Sequence, residues 1–275
     1  MRPLRWRYIE DDGSSPSFGL AVDEYVGRKL HTSPYSHIVR LYTYKGPSVM
    51  VGRYQNVGSE VDISRCTELG VDINRRPTGG GAIVMGEGQL GIAIAAPAPP
   101  ATGGQSALLG SKTVLSPFTG GIIAALGSMG LKAWFRPEND IVVKDKKIAG
   151  LASCCLDEET AVLYHASILA DIDMELMLEL LKKPVRKNGA ITTVSGELGR
   201  HVSTHELREH VKRGLEKTLE NAELIPEPLN EEELGAIMEL EREKYSNRDW
   251  VFHGKERTAG DVEDIYTGHA GPGIR

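Results

Sequence analysis

Cysteine is scarce in this chain of 275 residues: there are three, Cys66, Cys154 and Cys155. Three thiols, two of them vicinal, cannot build a disulfide framework, and a reducing, cytoplasmic setting is expected. No Cys-x-x-Cys and no spaced histidine pair occurs, so a zinc site is not expected. Long apolar runs are missing too, and no charged-then-apolar leader opens the chain, which gives neither a membrane span nor an export signal. No Gly-Lys-Ser/Thr follows the glycine-rich stretch and no Gly-x-Gly-x-x-Gly follows a strand pattern, which disfavours Walker and dinucleotide sites. Positive charge is not in excess. The net charge of −6 argues against broad nucleic-acid binding but leaves room for a local basic pocket.

What is present is a soluble-type composition, 40% hydrophobic and 25% charged, long enough for one large core or two small ones. Strand patterns cover Arg5–Ile9, Ile38–Tyr44, Ser48–Gly52, Val71–Asn74, Ala82–Met85, Gln89–Ala95, Leu131–Phe135, Asp140–Val143, Lys147–Ser153 and Ala161–Leu169. Helical spacing covers residues 16–30, Val61–Leu69, Thr113–Met129, Met174–Leu181, Ser203–Leu219 and Asn230–Tyr245. Asp11–Pro16 reads as a turn cluster, residues 96–106 as a surface loop, and Arg186–Thr193 as a loop. Asp23 and Glu24 read as the solvated face of the first helix. Hairpins outnumber strand–helix–strand crossovers, so the fold class is α+β, with mixed β-sheets flanked by helices. One domain is expected over residues 1–252, followed by a loose tail over 253–275.

The most informative stretch is Arg75-Arg76-Pro77-Thr78-Gly79-Gly80-Gly81-Ala82-Ile83. Glycine tolerates positive φ and lets backbone amides converge on a ligand, while arginine offers a forked donor to phosphate or carboxylate. An anion-binding loop and a plain hairpin turn with solvated arginines are both open on these residues alone. Downstream, Asp140 opens one strand and Lys147 its hairpin partner across the turn Lys144-Asp145-Lys146. They form either a cleft pair or a solvated hairpin end. His165 lies in an apolar strand, where a satisfied core histidine is the commoner outcome. Cys154 and Cys155 read as buried, inert thiols more readily than as nucleophiles.

In order and spacing, four motifs resemble the lipoate–protein ligase family: the Arg75–Ile83 stretch, Asn139-Asp140-Ile141, Lys147-Ile148-Ala149-Gly150 and His165-Ala166-Ser167-Ile168. The Trp6–Ile9, Ala21–Glu24 and Val51–Asn56 segments and Glu243-Lys244-Tyr245 leading to Asp249-Trp250 are similar as well. The resemblance implies a catalytic-domain fold shared with biotin–protein ligases. It implies attack of lipoate on the α-phosphate of ATP, then transfer of the lipoyl group to a lysine of a lipoyl-domain protein. It places ATP and lipoyl-adenylate among Arg75, Arg76, Thr78, Gly79, Gly80, Gly81, Ala82, Asp140, Lys147, Gly150, His165 and Ser167. Lys147 would be the catalytic residue, and Asp140 a ligand of Mg2+.

The chain departs from the family pattern at Met85-Gly86, where His-Asp is usual, at Gly19 and Gly91, where Asn is usual, and at Ala166-Ser167, where Gly-Thr is common. It ends too soon for the small C-terminal accessory domain that many ligases carry, so a separate accessory-domain subunit is expected. Two other functions stand beside the ligase. A cysteine-dependent octanoyltransferase of the same superfamily needs a thiol, commonly in the segment that is Phe135–Asp140 here, where there is none; Cys154 and Cys155 would be an alternative placement. A non-catalytic binder of lipoyl domains or acyl-adenylates is motivated by the missing His-Asp pair.

Overall fold

A computed structural model describes residues 4–98, 112–137, 139–156, 160–182, 191–219 and 222–254. Eleven strands are found among them. Eight form one sheet in the order β11-β1-β2-β6-β10-β9-β8-β7, and three form a small sheet in the order β4-β3-β5. The strands are β1 (Leu4–Ser14), β2 (His37–Tyr44), β3 (Ser48–Val51), β4 (Asp72–Arg75), β5 (Ile83–Met85), β6 (Gln89–Pro97), β7 (Ala133–Arg136), β8 (Asp140–Val143), β9 (Lys146–Leu156), β10 (Ala161–Leu169) and β11 (Ala222–Pro226). β1 runs parallel to both β2 and β11; the remaining neighbours of the large sheet are antiparallel. In the small sheet β3 is parallel to β4 and antiparallel to β5.

The helices are α1 (Pro16–Arg28), α2 (Val57–Glu60), α3 (Ile63–Leu69), α4 (Lys112–Ser128), α5 (Met174–Leu180), α6 (Val194–Leu198), α7 (Thr204–Thr218) and α8 (Glu231–Leu240). Strand alternation divides the core. Val39, Leu41, Ile92, Ile94, Val162 and Tyr164 face α4 and α7, where Phe118, Ile122, Leu207 and Val211 meet them. Ile38, Tyr42, Tyr44, Ala93, Ala95 and Leu163 face α1 and the C-terminal segment, with Leu20, Val22, Tyr245 and Trp250. Met50 and Met85 of the small sheet pack on this second face. A third cluster, including Val49, Val51, Cys66 and Leu180, lies under the small sheet. The α+β class read from the sequence is thus the observed one.

Local signals account for several boundaries. Ser15 caps α1 by accepting from the Phe18 amide, and Pro16 follows in the first turn. Gly70 ends α3 in the left-handed conformation. Lys144 and Asp145 both hold positive φ at the β8–β9 turn, as a tight two-residue hairpin demands.

Other expectations need correction. The Asp11–Pro16 turn is instead the end of β1, which continues to Ser14 past a register shift at Gly13. Buried Arg208 holds Asp12 there, and Thr43 donates to it. The expected Val61–Leu69 helix starts only at Ile63, capped by Asp62, and a separate short helix, α2, precedes it. The helix from Asn230 ends at Leu240 and passes into a wider π turn, Glu241–Tyr245. Ala96 and Pro97 belong to β6; the rest of the expected 96–106 loop beyond residue 98 lies outside the described residues, as do Pro184 and 255–275. The tail does not begin at 253, because His253 closes a π turn and the Gly254 carbonyl accepts from Arg53 Nη1 at 2.6 Å. Among the described residues no helix is long and apolar enough to cross a membrane.

Candidate active site

β4 delivers the arginine pair to the rim of the small sheet, and residues 76–82 arch from there to β5. Both arginines point inward. Arg75 is 1% exposed. Its guanidinium donates to the carbonyls of Gly52, Arg53 and Gln55 on one side and of Trp250, Val251 and Phe252 on the other. Trp250 returns a bond from its indole N–H to the Arg75 carbonyl at 2.9 Å. Arg75 is therefore a staple between the glycine loop and the C-terminal segment, not a donor aimed at a ligand. Arg76 bonds the carbonyls of Met50, Gly79 and Gly81 and ties the loop down from beneath. Burial without a carboxylate pushes the Arg76 guanidinium down to about 10. Arg75 is lowered too, by burial and then by neighbouring Arg53.

Gly79, Gly80 and Gly81 remain at the surface while Thr78 is wholly buried. Gly80 has φ +92°, and a Cβ there would lie 3.0 Å from Arg76 Nη2. The loop presses so closely on β3 that a Cβ on Gly52 would overlap the Gly80 carbonyl. These two positions admit only glycine. The same Gly80 Cβ would be 4.0 Å from Asn139 Nδ2, so the loop tip meets the β8–β9 hairpin. The two sequence motifs are joined there.

In the hairpin, Lys147 Nζ lies 2.7 Å from Asp140 Oδ1, and Arg136 Nη2 lies 2.9 Å from Asp140 Oδ2. Burial pushes the Asp140 carboxyl up, but hydrogen bonds from Lys147 and Arg136 outweigh it and hold it below the usual range. Gly150 gives the ammonium its space, since a Cβ there would sit 3.0 Å from Lys147 Nζ. Pairing across five strands sets Tyr42, Gly91, Ser167, Gly150 and Asp140 in one row on the face toward α1. Small residues thus floor a lane between the Tyr42 ring and the Lys147–Asp140 pair. Ala82 lies at the far foot of the glycine loop, packed on the third cluster.

His165 is 8% exposed and points to the same face. Its Nδ1 is 3.1 Å from Thr78 Oγ1, and its Nε2 is 3.2 Å from Asp23 Oδ2. Asp23 and Glu24, expected as a solvated face, are both fully buried. Asp23 takes Arg40 Nη1 at 2.7 Å, and Glu24 takes Lys244 and the Tyr245 hydroxyl. Helix α1 is covered on both sides, by the sheet and by the C-terminal segment, so two adjacent acids can each meet a cation. Asp23 and Arg40 are the groups that the site residues read from the sequence left out; a basic residue inside the apolar β2 run was the available signal.

Two expectations do not fit the geometry. A magnesium ion held by Asp140 lacks a free oxygen, since both are paired with cations, and no group of three acidic, histidine or cysteine side chains converges among the described residues. The alternative thiol placement finds no activated group at Cys154. Cys154 stands seven positions along β9 from Lys147, on the order of 20 Å. Burial, and then nearby Glu24, push its thiol up to about 12. Cys66 is buried in α3 and raised to about 11. The departures from the family pattern have packing partners. Tyr44 Cε1 would be 2.6 Å from a Cβ on Gly19, the Tyr42 ring occupies the space over Gly91, and Met85 is buried beside Met50.

The mixed eight-stranded sheet, the small three-stranded sheet and the helices that flank them define a lipoate-ligase-type catalytic-domain fold. The chain matches the Lipoyl protein ligase A/B catalytic domain over residues 15–216, and it belongs to that family. It is 27% identical to octanoyltransferase LipM of Geobacillus kaustophilus, across 90% of this chain and 98% of that protein. A crystal structure of lipoate-protein ligase A bound with ATP superposes with a TM-score of 0.78 at 25% identity, covering 93% of this chain and all of that one. A bi-partite lipoate protein ligase from Thermoplasma acidophilum, studied with its E2 lipoyl domain, superposes at 0.77 with 24% identity, covering 94% and 100%.

Proposed function

We propose that this protein is a lipoate–protein ligase that forms the acyl-adenylate and passes the acyl group to a lipoyl-domain lysine. The carboxylate of lipoate attacks the α-phosphorus of ATP and pyrophosphate leaves. The acceptor ε-amine then attacks the mixed anhydride, giving an amide and AMP. The observation that carries this reading is the Lys147–Asp140 pair beside the open glycine loop. Lys147 Nζ is placed to neutralise charge on the carboxylate and phosphate as they meet, and Asp140 with Gly150 fixes its position. The exposed amides of Gly79–Gly81 receive the nucleotide phosphates. Arg76 shapes that loop from below and Arg75 anchors its root, so both support binding without touching the anion. Thr78, His165 and Ser167 line the acyl side, and Ala82 ends the loop. The lane over Ser167, between the Tyr42 ring that covers Gly91 and the Lys147 side chain that covers Gly150, takes the acyl chain.

A lipoyl domain is the acceptor, and a separate accessory-domain subunit assists adenylation. The bi-partite Thermoplasma acidophilum ligase, likewise matched over its whole length, supports this arrangement. The cytoplasm is the expected compartment.

One comparison favours a second reading. LipM is matched over nearly its full length, which supports an octanoyltransferase that takes the acyl group from a thioester without ATP. The experiment is intact-mass analysis of a lipoyl domain incubated with the protein and either ATP, magnesium and lipoate, or an octanoyl thioester alone, with pyrophosphate measured in parallel. Lipoylation with stoichiometric pyrophosphate supports the ligase. Octanoylation without ATP supports the transferase. Lipoyl-domain binding without either product supports a non-catalytic binder.

A further inference from the structure

Asp23 has no part in the chemistry just described, yet it is the buried end of a chain that reaches the glycine loop. Arg40 does not depend on it alone. Asp11 Oδ2 lies 2.6 Å from Arg40 Nη2, the Gly19 carbonyl accepts from Nη1 at 3.0 Å, and the Tyr42 ring lies 4.0 Å from the guanidinium carbon. Arg40 engages only Oδ1 of Asp23. Oδ2 has no other hydrogen-bond partner among the described residues and lies 3.2 Å from His165 Nε2, which likewise has none. The other ring nitrogen, Nδ1, meets Thr78 Oγ1. Thr78 is the last residue before the three glycines, and its carbonyl accepts from the Arg53 amide at 2.9 Å.

We infer that Asp23 is a positioning residue: through the imidazole of His165 it fixes Thr78, and through Thr78 the glycine loop. This rests on the loop's role in the proposed reaction. A neutral histidine donates from one ring nitrogen and accepts at the other. The carboxylate selects the form with the proton on Nε2, leaving Nδ1 to accept the Thr78 hydroxyl. The hydroxyl then cannot turn away, and the loop's first residue is held at its backbone by Arg53 and at its side chain by His165. The Asp23–His165 contact is within ion-pair reach but poorly aligned for a hydrogen bond. Such contacts often tighten only when substrate is bound. The arrangement makes α1, far from Asp140 and Lys147 in sequence, a determinant of loop geometry.

Nitrogen-15 spectroscopy of the full-length protein tests the tautomer directly, with the His165 signal assigned by its loss in His165→Gln. The expected wild-type form carries its proton on Nε2, and Asp23→Asn, which keeps an oxygen for Arg40, shifts the ring toward the Nδ1 form. The amides of Gly79–Gly81 should exchange at least tenfold faster in Asp23→Asn and in Thr78→Val. In acyl transfer both variants should lower kcat about tenfold while KM for the acid changes less than threefold, and Thr78→Ser should restore most of the loss. The double variant should be no worse than the poorer single one, as for residues acting through one path. A wild-type proton on Nδ1, unchanged loop exchange in Asp23→Asn, or losses that multiply in the double variant would each overturn the inference. Should the wild type transfer no acyl group at all, the reaction proposed above fails, while tautomer and loop exchange still decide the role of Asp23.

Discussion

Lys147 Nζ and Asp140 Oδ1 lie 2.7 Å apart across the β8–β9 hairpin, and the opposite oxygen of Asp140 is held by Arg136. The aspartate is thus a holder for the lysine and not a free anionic ligand. Lys147→Ala should lower the rate of acyl attachment by roughly 10²–10³, the usual cost of one preorganised charge donor. Asp140→Asn keeps an oxygen near the ammonium and should cost less, about tenfold. Single-turnover measurement of lipoyl-domain modification gives both values, and an equal loss for the two would show that Asp140 touches the reacting groups.

Arg75→Ala should be far more damaging to stability than Arg76→Lys. It leaves carbonyls of residues 52, 53, 55 and 250–252 buried without their donor, and a loss of about 3–5 kcal/mol is expected from several such groups. Urea denaturation provides the number. Hydrogen exchange should show the 249–254 turn opening first. Retained stability with lost nucleotide affinity would instead restore Arg75 as an anion donor.

Cys154 and Cys155 should be dispensable. The Cys154→Ser/Cys155→Ser variant is expected to keep acyl attachment within about threefold of wild type, because burial holds the Cys154 thiol near 12 and away from thiolate at neutral pH. Loss of all transfer, with the fold intact by circular dichroism, would move the chemistry to a thioester route.

His37 supplies a pH dependence. Its ring stacks on Trp6 with centroids 4.0 Å apart, and burial pushes it down to about 4 from the ordinary 6.5. The unfolded chain then binds the proton more readily than the folded one between these values. Stability should hold above pH 6.5, fall as pH drops toward 4, and flatten below it, by an amount on the order of 1–3 kcal/mol. Denaturation midpoints at pH 7 and 5 measure the drop, and His37→Phe should reduce it.

Gly214→Ala tests the packing of α4 on α7. A Cβ at Gly214 would overlap the Gly121 carbonyl across the helix crossing, so a loss of about 1–3 kcal/mol is expected from overpacking. Gly127→Ala, on the same helix pair but with open space around it, serves as the control.

Much of this could be read from residue pattern. Strand alternation and the Lys144-Asp145 turn are local signals, and most strands and the hairpin lie where residue pattern places them. The glycine loop and the hairpin lysine could also be found, since their spacing is distinctive. What escaped was set by distant partners. Asp23 and Glu24 looked solvated because a helical pattern shows one covered face, and nothing local reveals that the C-terminal segment covers the other. Arg75 looked like an anion donor because its carbonyl partners lie up to 177 positions away. β11 was missed because five residues carry little period, and its place is fixed by pairing with β1.

The Arg75 staple also orders events in time. Half of its acceptors lie in residues 250–252, so this staple at the foot of the glycine loop cannot close until Phe252 has been synthesised. The nascent protein can build its sheets early, from neighbouring hairpins, but the Arg75 staple must wait for residues 250–252. A chain halted before residue 250 would therefore carry a formed scaffold with the foot of its glycine loop still unstapled.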